Sequence, residues 1–386
     1  MASRTPALTR REALKLTGGT VGALGTTGVA AGRRTSPATW SGTEKTNVGY
    51  SAPSGRRAAR NRSSGIHRTF NFDALTVELS ADAARELRRR DDIRYVEEDV
   101  EMHALAQTLP WGIDRTDAEI AHSNGENGNG ADVAIIDTGI DKGHPDLDAN
   151  LGKGRSFLLG TESSAWNDDN GHGSHCAGIA DALDNGQGVV GVSTEATLHA
   201  AKVLTAAGTG STSDVAKGIE WTADQGYDVG SLSLGGGASS TLEDACSYAY
   251  ENGVLLVAAA GNSGPCTDCV GYPAAYQECV AVSATTRSDD LADFSSTGPE
   301  VELAAPGEDI YSTYLEGTYS TLSGTSMACP HVSGAGGQLM ANGYTNKEAR
   351  QHLKDTAEDI GLASNEQGAG LLDVAAALGF SSTDDL

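Results

Sequence analysis

The chain has 386 residues, 39% of them hydrophobic, 5% aromatic and 49 of them glycine, a profile that excludes a coiled coil or membrane bundle and fits a large domain plus a small one, or two ordinary domains. Residues 1–105 hold 17 basic and 12 acidic side chains, whereas residues 106–386 hold 10 and 40. Such an acidic body repels phosphates and excludes nucleic acid as a partner; its scarcity of lysine points beyond a merely soluble acidic protein to high-salt adaptation, where screening removes self-repulsion and hydrated carboxylates keep the surface wet.

From the N-terminus, Thr9-Arg10-Arg11-Glu12-Ala13-Leu14-Lys15 resembles a twin-arginine export motif, although Ala13 stands where a bulky apolar residue is common. A weakly apolar run from Leu16 to Ala31 follows, with small residues at Val29 and Ala31 suited to a signal peptidase. Its glycines argue against a surface amphipathic helix. We therefore expect residues 1–32 to be a signal peptide and the product to be secreted. No later run of 18 or more apolar residues occurs, so no stable membrane anchor is expected. Residues 33–68, rich in Arg, Ser, Gly and Thr, read as linker. A small α+β unit follows: Ala74–Leu79 alternates like a strand, Ala81–Arg90 has helical composition, and Ile93–Val96 reads as another strand.

Beyond Ala106, Val133–Ile136, Leu198–Val203, Val229–Leu234, Val254–Ala260 and Val280–Ser283 read as buried strands. Ser213–Gln225, Leu242–Asn252, Met327–Met340 and Asn346–Thr356 read as helices. Strands alternating with helices predict an α/β fold: a mostly parallel sheet covered on both faces, its site at the strands' C-terminal edge. All six cysteines lie in this part. They are too few for a disulfide scaffold. Cys266-Thr267-Asp268-Cys269 lacks the second CxxC or paired histidines of a zinc site. It is left as a redox dithiol or as part of a loop staple involving Cys246 or Cys279.

Three blocks carry chemistry. Val133-Ala134-Ile135-Ile136-Asp137-Thr138-Gly139-Ile140 is an apolar strand ending in a carboxylate, which alone also fits ribose or metal binding. Asn170-Gly171-His172-Gly173-Ser174-His175-Cys176-Ala177-Gly178 places two histidines at a helix start, without the intervening Glu that a zincin needs. Small residues leave the His172 ring free to approach another element, and His175 is expected to pack inside. In Gly324-Thr325-Ser326-Met327-Ala328-Cys329-Pro330-His331-Val332, a serine follows a glycine turn at a helix start. Its N–H and the helix dipole suit an oxyanion, although a plain N-cap serine would look similar.

The order Asp, His, Ser with each block intact resembles the subtilisin-like (subtilase) serine proteases from about Phe70 to Leu378, and the acidic bias resembles their halolysin branch. The resemblance implies a three-layer subtilisin-like fold over 106–386, preceded by a propeptide at 69–105 that acts as folding chaperone and intramolecular inhibitor, and self-cleavage between Leu105 and Ala106, where the charge balance also breaks. It further implies Asp137, His172 and Ser326 as catalytic triad, with Asn262 of Val257-Ala258-Ala259-Ala260-Gly261-Asn262-Ser263-Gly264 as second oxyanion donor. Substrate is expected to add as a strand along Gly208-Thr209-Gly210 and Ser233-Leu234-Gly235-Gly236. Ala259, Gly261 and Gly271 then wall the primary pocket. Ser263, not a carboxylate, follows Asn262, so an apolar residue is expected before the cleaved bond.

The resemblance also implies structural calcium, through the side chains of Gln107, Asp146 and Asn185 and the carbonyls of Leu183, Gln187 and Val189; a second site near Ala274 and Tyr276 is a guess. Departures are Gly230-Ser231-Leu232 before the substrate strand, and Cys176 and Cys329 as thiols beside the triad, a source of mercurial sensitivity. The resulting expectation is a monomeric, secreted, broad-specificity endopeptidase. The alternatives are a processing protease for one exported protein and a peptide-binding pseudoprotease. Nucleotide binding lacks GxGxxG after the first strand and the P-loop lysine.

Overall fold

The computed structural model describes residues 43–99 and 107–382. The expected signal peptide and the Leu105–Ala106 cleavage point lie outside the described residues. The chain divides into two compact units, 1–104 and 105–386.

The first unit is larger than expected. Strands β1 (Thr43–Tyr50), β2 (Gly65–Phe70), β3 (Ala74–Ser80) and β4 (Ile93–Glu98) form an antiparallel sheet in the order β2-β3-β1-β4, with helices α1 (Pro53–Arg62) and α2 (Ala81–Arg88). Residues 43–68, read as linker, are therefore a strand, a helix and most of a second strand. The polar composition misled because α1 buries only Gly55, Ala58 and Ala59 and turns its arginines to water. Its alanines meet Val48, Leu75, Val77, Leu79 and Leu87 in one small core. Ser80 caps α2 by accepting from the Ala83 N–H.

The second unit is built on seven strands in the order β11-β10-β9-β8-β5-β7-β6, all paired in parallel. They are β5 (Asp132–Asp137), β6 (Leu151–Ser156), β7 (Thr197–Lys202), β8 (Val229–Leu232), β9 (Leu255–Ala259), β10 (Cys279–Thr285) and β11 (Val301–Pro306). Short helices α3 (Trp111–Arg115) and α4 (Ala118–Ser123) precede β5. Helices α5 (His172–Asp181), α6 (Thr212–Asp224), α7 (Ser240–Glu251), α8 (Thr325–Ala341) and α9 (Asn346–Asp355) cover the sheet, and β12 (Ile310–Thr313) pairs with β13 (Tyr319–Leu322) as a hairpin.

Because neighbouring residues of a strand face opposite ways, each strand feeds two cores. Val133, Ile135, Leu198, Ala200, Leu255 and Val257 join one core with α5 and α8. Ala134, Ile136, Ala201, Leu256 and Ala258 join the other with α6 and α7. That double burial is why the strands read as continuous apolar runs. Strand β5 sits between β7 and β8, where the order of connection reverses, so its C-terminal end opens on the crevice in which such sheets place ligands. Among the described residues no helix is long and apolar enough to cross a membrane.

Candidate active site

Asp137 ends β5 and is fully buried. Both carboxylate oxygens lie 2.9 Å from His172 Nδ1, and Oδ1 also accepts the Thr138 N–H at 2.6 Å. His172 is the first residue of α5, with its side chain 28% exposed. Glycine permits the contact: a Cβ on Gly173 would lie 2.2 Å from the Gly139 carbonyl oxygen, so only hydrogen allows the helix start to touch the turn after β5. The Asp137 anion favours imidazolium and holds the His172 pKa well above its ordinary value, against the opposing pull of burial.

Two residues that sequence reasoning did not single out hold this pair in place. The Asp168 carboxylate accepts the N–H groups of Asn170, Gly171 and Ser174 and the Ser174 hydroxyl, all within 3.0 Å. Burial alone would raise its pKa, but those donors outweigh it and leave the group below the usual range. An acidic residue just ahead of a helix start is a readable capping signal. Lys202 ends β7 in register with Asp137 and is 2% exposed. Its ammonium donates to the Thr138 carbonyl and to Asp169 at 2.6 Å. It thereby ties the end of β5 to the loop that carries His172. A lone lysine closing an apolar strand is the trace of this partnered buried charge in the sequence.

Ser326 is the second residue of α8. Its hydroxyl donates to the Ser233 carbonyl oxygen at 3.2 Å, not to the imidazole, while the Ser233 hydroxyl donates back to the Ser326 carbonyl at 2.8 Å. Asn262 follows β9. Its Oδ1 accepts both the Thr325 N–H (2.9 Å) and the Thr325 hydroxyl (3.0 Å), and the Thr325 hydroxyl accepts the Gly261 N–H. With the oxygen engaged, the Asn262 amide presents its NH2 beside Gly324, where a Cβ would sit 3.3 Å away. Thr325 thus fixes which end of Asn262 faces the serine, a role the sequence motif did not reveal.

His175 is fully buried as expected, with Nε2 on the Ile310 and Ser320 carbonyls. Cys176 lies beneath the site: Sγ donates to the Ser326 carbonyl (3.5 Å) and lies 4.0 Å from His172 Nδ1. Asp137, His172 and Cys176 are the one group with metal-ligand spacing among the described residues, and the Asp–His hydrogen bond already accounts for it. Burial raises the Cys176 thiol above its usual pKa and takes Cys329 to about 11, so both are unreactive as thiolates at neutral pH.

The expected peptide-binding segments border these residues. Gly236 and Tyr272 exchange backbone hydrogen bonds at 2.8 and 3.2 Å, which sets Ser233, Leu234 and Gly235 beside Gly271. A Cβ on Gly261 would lie 3.9 Å from the Gly271 nitrogen, and Ala259 closes β9 just before. The Thr205–Thr209 turn presents Gly208, Thr209 and Gly210, with Gly208 near Asn170 of the His172 block.

Five of the six residues expected to hold calcium, Gln107, Asp146, Leu183, Asn185 and Val189, are joined by hydrogen bonds, and Gln187 is tied to them only through its N–H. Asp146 accepts from Val189 N–H, the Tyr319 hydroxyl and the Asn185 amide at 2.8, 2.9 and 3.1 Å. The carbonyls of Leu183 and Val189 point at one place, which the Gln107 amide nitrogen fills at 2.6 and 2.9 Å. Gln187 N–H donates to Asn185 Oδ1. One carboxylate, two amides and converging carbonyls fit a hard cation. Tyr319 was not anticipated. The cysteine expectation needs correcting: Cys266 pairs with Cys269 itself, and Cys246 and Cys279 take no part in that staple.

A parallel α/β sheet with an Asp–His pair at its C-terminal edge, a serine at a helix start joined to that pair through Cys176, and an asparagine amide held by the neighbouring Thr325 fit a serine hydrolase of the acyl-transfer type. Residues 128–370 match the model of the Subtilase family, and the chain belongs to that family. It is 44% identical over 315 residues to Alkaline protease of Alkalihalobacillus alcalophilus, covering 81% of each chain. It is 46% identical over 275 residues to Subtilisin Savinase of Lederbergia lenta, covering 70% of this chain and 99% of that one. To Subtilisin E of Bacillus subtilis it is 41% identical over 318 residues, 81% of this chain and 82% of the relative. The protein is a subtilisin-type serine endopeptidase.

Two outcomes follow from this geometry. With His172 as the base in its neutral form, activity is expected to rise with pH through the His172 pKa. Asp137→Asn removes the anion that holds that pKa up, so the acid limb of the kcat/KM–pH profile moves to lower pH while the plateau falls by about 10⁴. Lys202→Met releases the clamp between Thr138 and Asp169; kcat falls by about 10² with KM little changed, as expected for slight misplacement of the pair. Steady-state kinetics on a peptide anilide checks both.

Proposed function

We propose that this protein is a secreted, broad-specificity endopeptidase adapted to high salt, with Asp137, His172 and Ser326 as its triad. The observation that carries the reading is the buried Asp137 carboxylate bonded to His172 at 2.9 Å, with the Cys176 sulfur between His172 Nδ1 and the Ser326 carbonyl. A serine hydroxyl is a weak nucleophile near neutral pH, so His172 takes its proton during attack and returns it to the leaving amine. Asp137 keeps the imidazole in the tautomer with Nδ1 protonated and stabilises the imidazolium. The Ser326 N–H and the Asn262 NH2 stabilise the tetrahedral oxyanion. Loss of such a side-chain donor costs about 10²–10³ in kcat, a value taken from subtilisin itself.

Glycine-lined segments at 208–210 and 233–236 suit main-chain hydrogen bonding to an extended peptide, which binds many sequences. Ala259, Gly261 and Gly271, with Ser263 carrying no charge, favour an apolar residue before the scissile bond. Calcium, when bound, supplies fixed positive charge among the oxygens of Gln107, Asp146, Leu183, Asn185, Gln187 and Val189 and braces the 183–189 loop; the reaction does not pass through it. The twin-arginine motif supports export. We assign the inhibitory propeptide to the whole small unit, with release at Leu105–Ala106. The ten basic side chains against 40 acidic ones after residue 105 support the high-salt reading.

A fluorophosphonate probe labels Ser326 in mature wild type kept in high salt; absence of label ends the triad assignment. N-terminal sequencing finds Ala106 in wild type, while Ser326→Ala retains the preceding segment. Thermal unfolding of the inhibited enzyme tests the ions. Chelation of calcium and dilution of salt each lower the midpoint, and an unchanged midpoint in either arm removes that part of the proposal.

A further inference from the structure

Four cysteines of the described residues stand outside the Cys266–Cys269 bridge. Cys176 and Cys329 each reach a backbone carbonyl near the active site, those of Ser326 and Val257. Cys246 and Cys279 differ. They lie in the core on the other face of the sheet, 0% and 2% exposed, packed among Leu242, Ala249, Leu256 and Ala281. Their sulfur atoms are 3.9 Å apart, and each thiol has the other as its hydrogen-bonding partner. Cys246 sits mid-way along α7 and Cys279 opens β10. A disulfide needs about 2.05 Å between sulfurs, so the two atoms have roughly 1.9 Å left to close.

We propose that Cys246 and Cys279 join as a second disulfide that ties α7 to β10. The inference rests on the export reading for its oxidising surroundings, and not on the protease chemistry. The oxidant is a small-molecule or protein disulfide. The Cys246 thiolate attacks one of its sulfurs and expels a thiolate; the Cys279 thiolate then attacks the Cys246 sulfur of the mixed disulfide and expels the second. Two protein thiols are oxidised, one external disulfide is reduced, and the two protons pass to the departing thiolates. The neighbouring Cys246 and burial together hold the Cys279 thiol well above its usual pKa, so the exchange proceeds during a local opening that lifts α7 off β10 after export. The closed loop runs from 246 to 279 and contains β9, Gly261, Asn262 and Gly271. The bond therefore pins both ends of the segment that supplies the oxyanion amide and one pocket wall, and it limits the local opening that exposes this segment to self-digestion.

The test refolds full-length Ser326→Ala in high salt with a glutathione redox pair, denatures it without reductant, alkylates with iodoacetamide and maps the peptides. Label on Cys176 and Cys329 only, with the Cys246 and Cys279 peptides joined, is the expected result. Label on both Cys246 and Cys279 overturns the proposal. Because this variant cannot cut itself, the outcome is independent of the triad assignment. In active enzyme, Cys246→Ser/Cys279→Ser shortens the self-digestion half-life severalfold in oxidising buffer. An unchanged half-life removes the protective role.

Discussion

The buried carboxylate of Asp137 is the constraint around which the second unit is organised. A carboxylate withdrawn from water is costly unless donors and opposite charge meet it on all sides. Here the Thr138 N–H and the His172 imidazole meet it directly, and Lys202 lies one strand away in register. Each partner demands something further. His172 can approach only because Gly139 and Gly173 carry no side chain, and α5 can begin at His172 because Asn170, Thr138 and Asp168 accept the N–H groups of His172, Gly173 and Ser174. The glycine content that first suggested tight turns is, at these positions, a requirement for bringing charge to charge.

The same logic explains where the scarce cations of the acidic unit go. Lys202 is enclosed between Thr138 and Asp169; Arg115 pairs with Asp289 and Glu358 with its side chain 8% exposed; Arg350 pairs with Glu302 at 15%. Each of these three cations is largely withdrawn from solvent and holds separate segments together. The exposed Lys142, Lys153, Arg155, Arg287 and Lys347 are then outnumbered by the carboxylates around them.

Sequence reasoning reached the parts of the molecule whose signal is local. The five strands read from apolar runs are β5, β7, β8, β9 and β10, and the four helices read there are α6, α7, α8 and α9. The strands bury continuous stretches and the helices either long runs, as in α6 and α8, or stripes at helical spacing, as in α7 and α9, so the apolar pattern exposed them. The triad candidates were legible because each sits in a contiguous block. What escaped has little or no local signature. Strand β6, Leu-Gly-Lys-Gly-Arg-Ser, is half-exposed or exposed at every residue before the buried Ser156 and pairs only at the sheet edge. Helix α1 hides an alanine stripe under arginines. Thr325, Lys202 and Tyr319 act through partners far along the chain, as with Tyr319 and Asp146, 173 residues apart, whereas the Asp168 cap is local and was legible. The Cys246–Cys279 contact depends on how α7 lies against the sheet, which spacing in sequence does not encode.

The reciprocal hydrogen bonds between Ser326 and Ser233 bear on the reaction rate in their own right. A hydroxyl proton points at one acceptor at a time, so the proposed nucleophile rests idle on the strand exit where substrate is expected to dock. Engaging His172 means exchanging one neutral hydrogen bond for another, a difference of about 0.5–1.5 kcal/mol at most. That corresponds to roughly a tenfold effect or less on rate, small beside the contribution of the oxyanion donors. The idle rotamer is thus a soft detent: it orders the side chain between turnovers without becoming an obstacle, and a peptide bound along Ser233–Gly235 arrives beside the very carbonyl that the serine must leave.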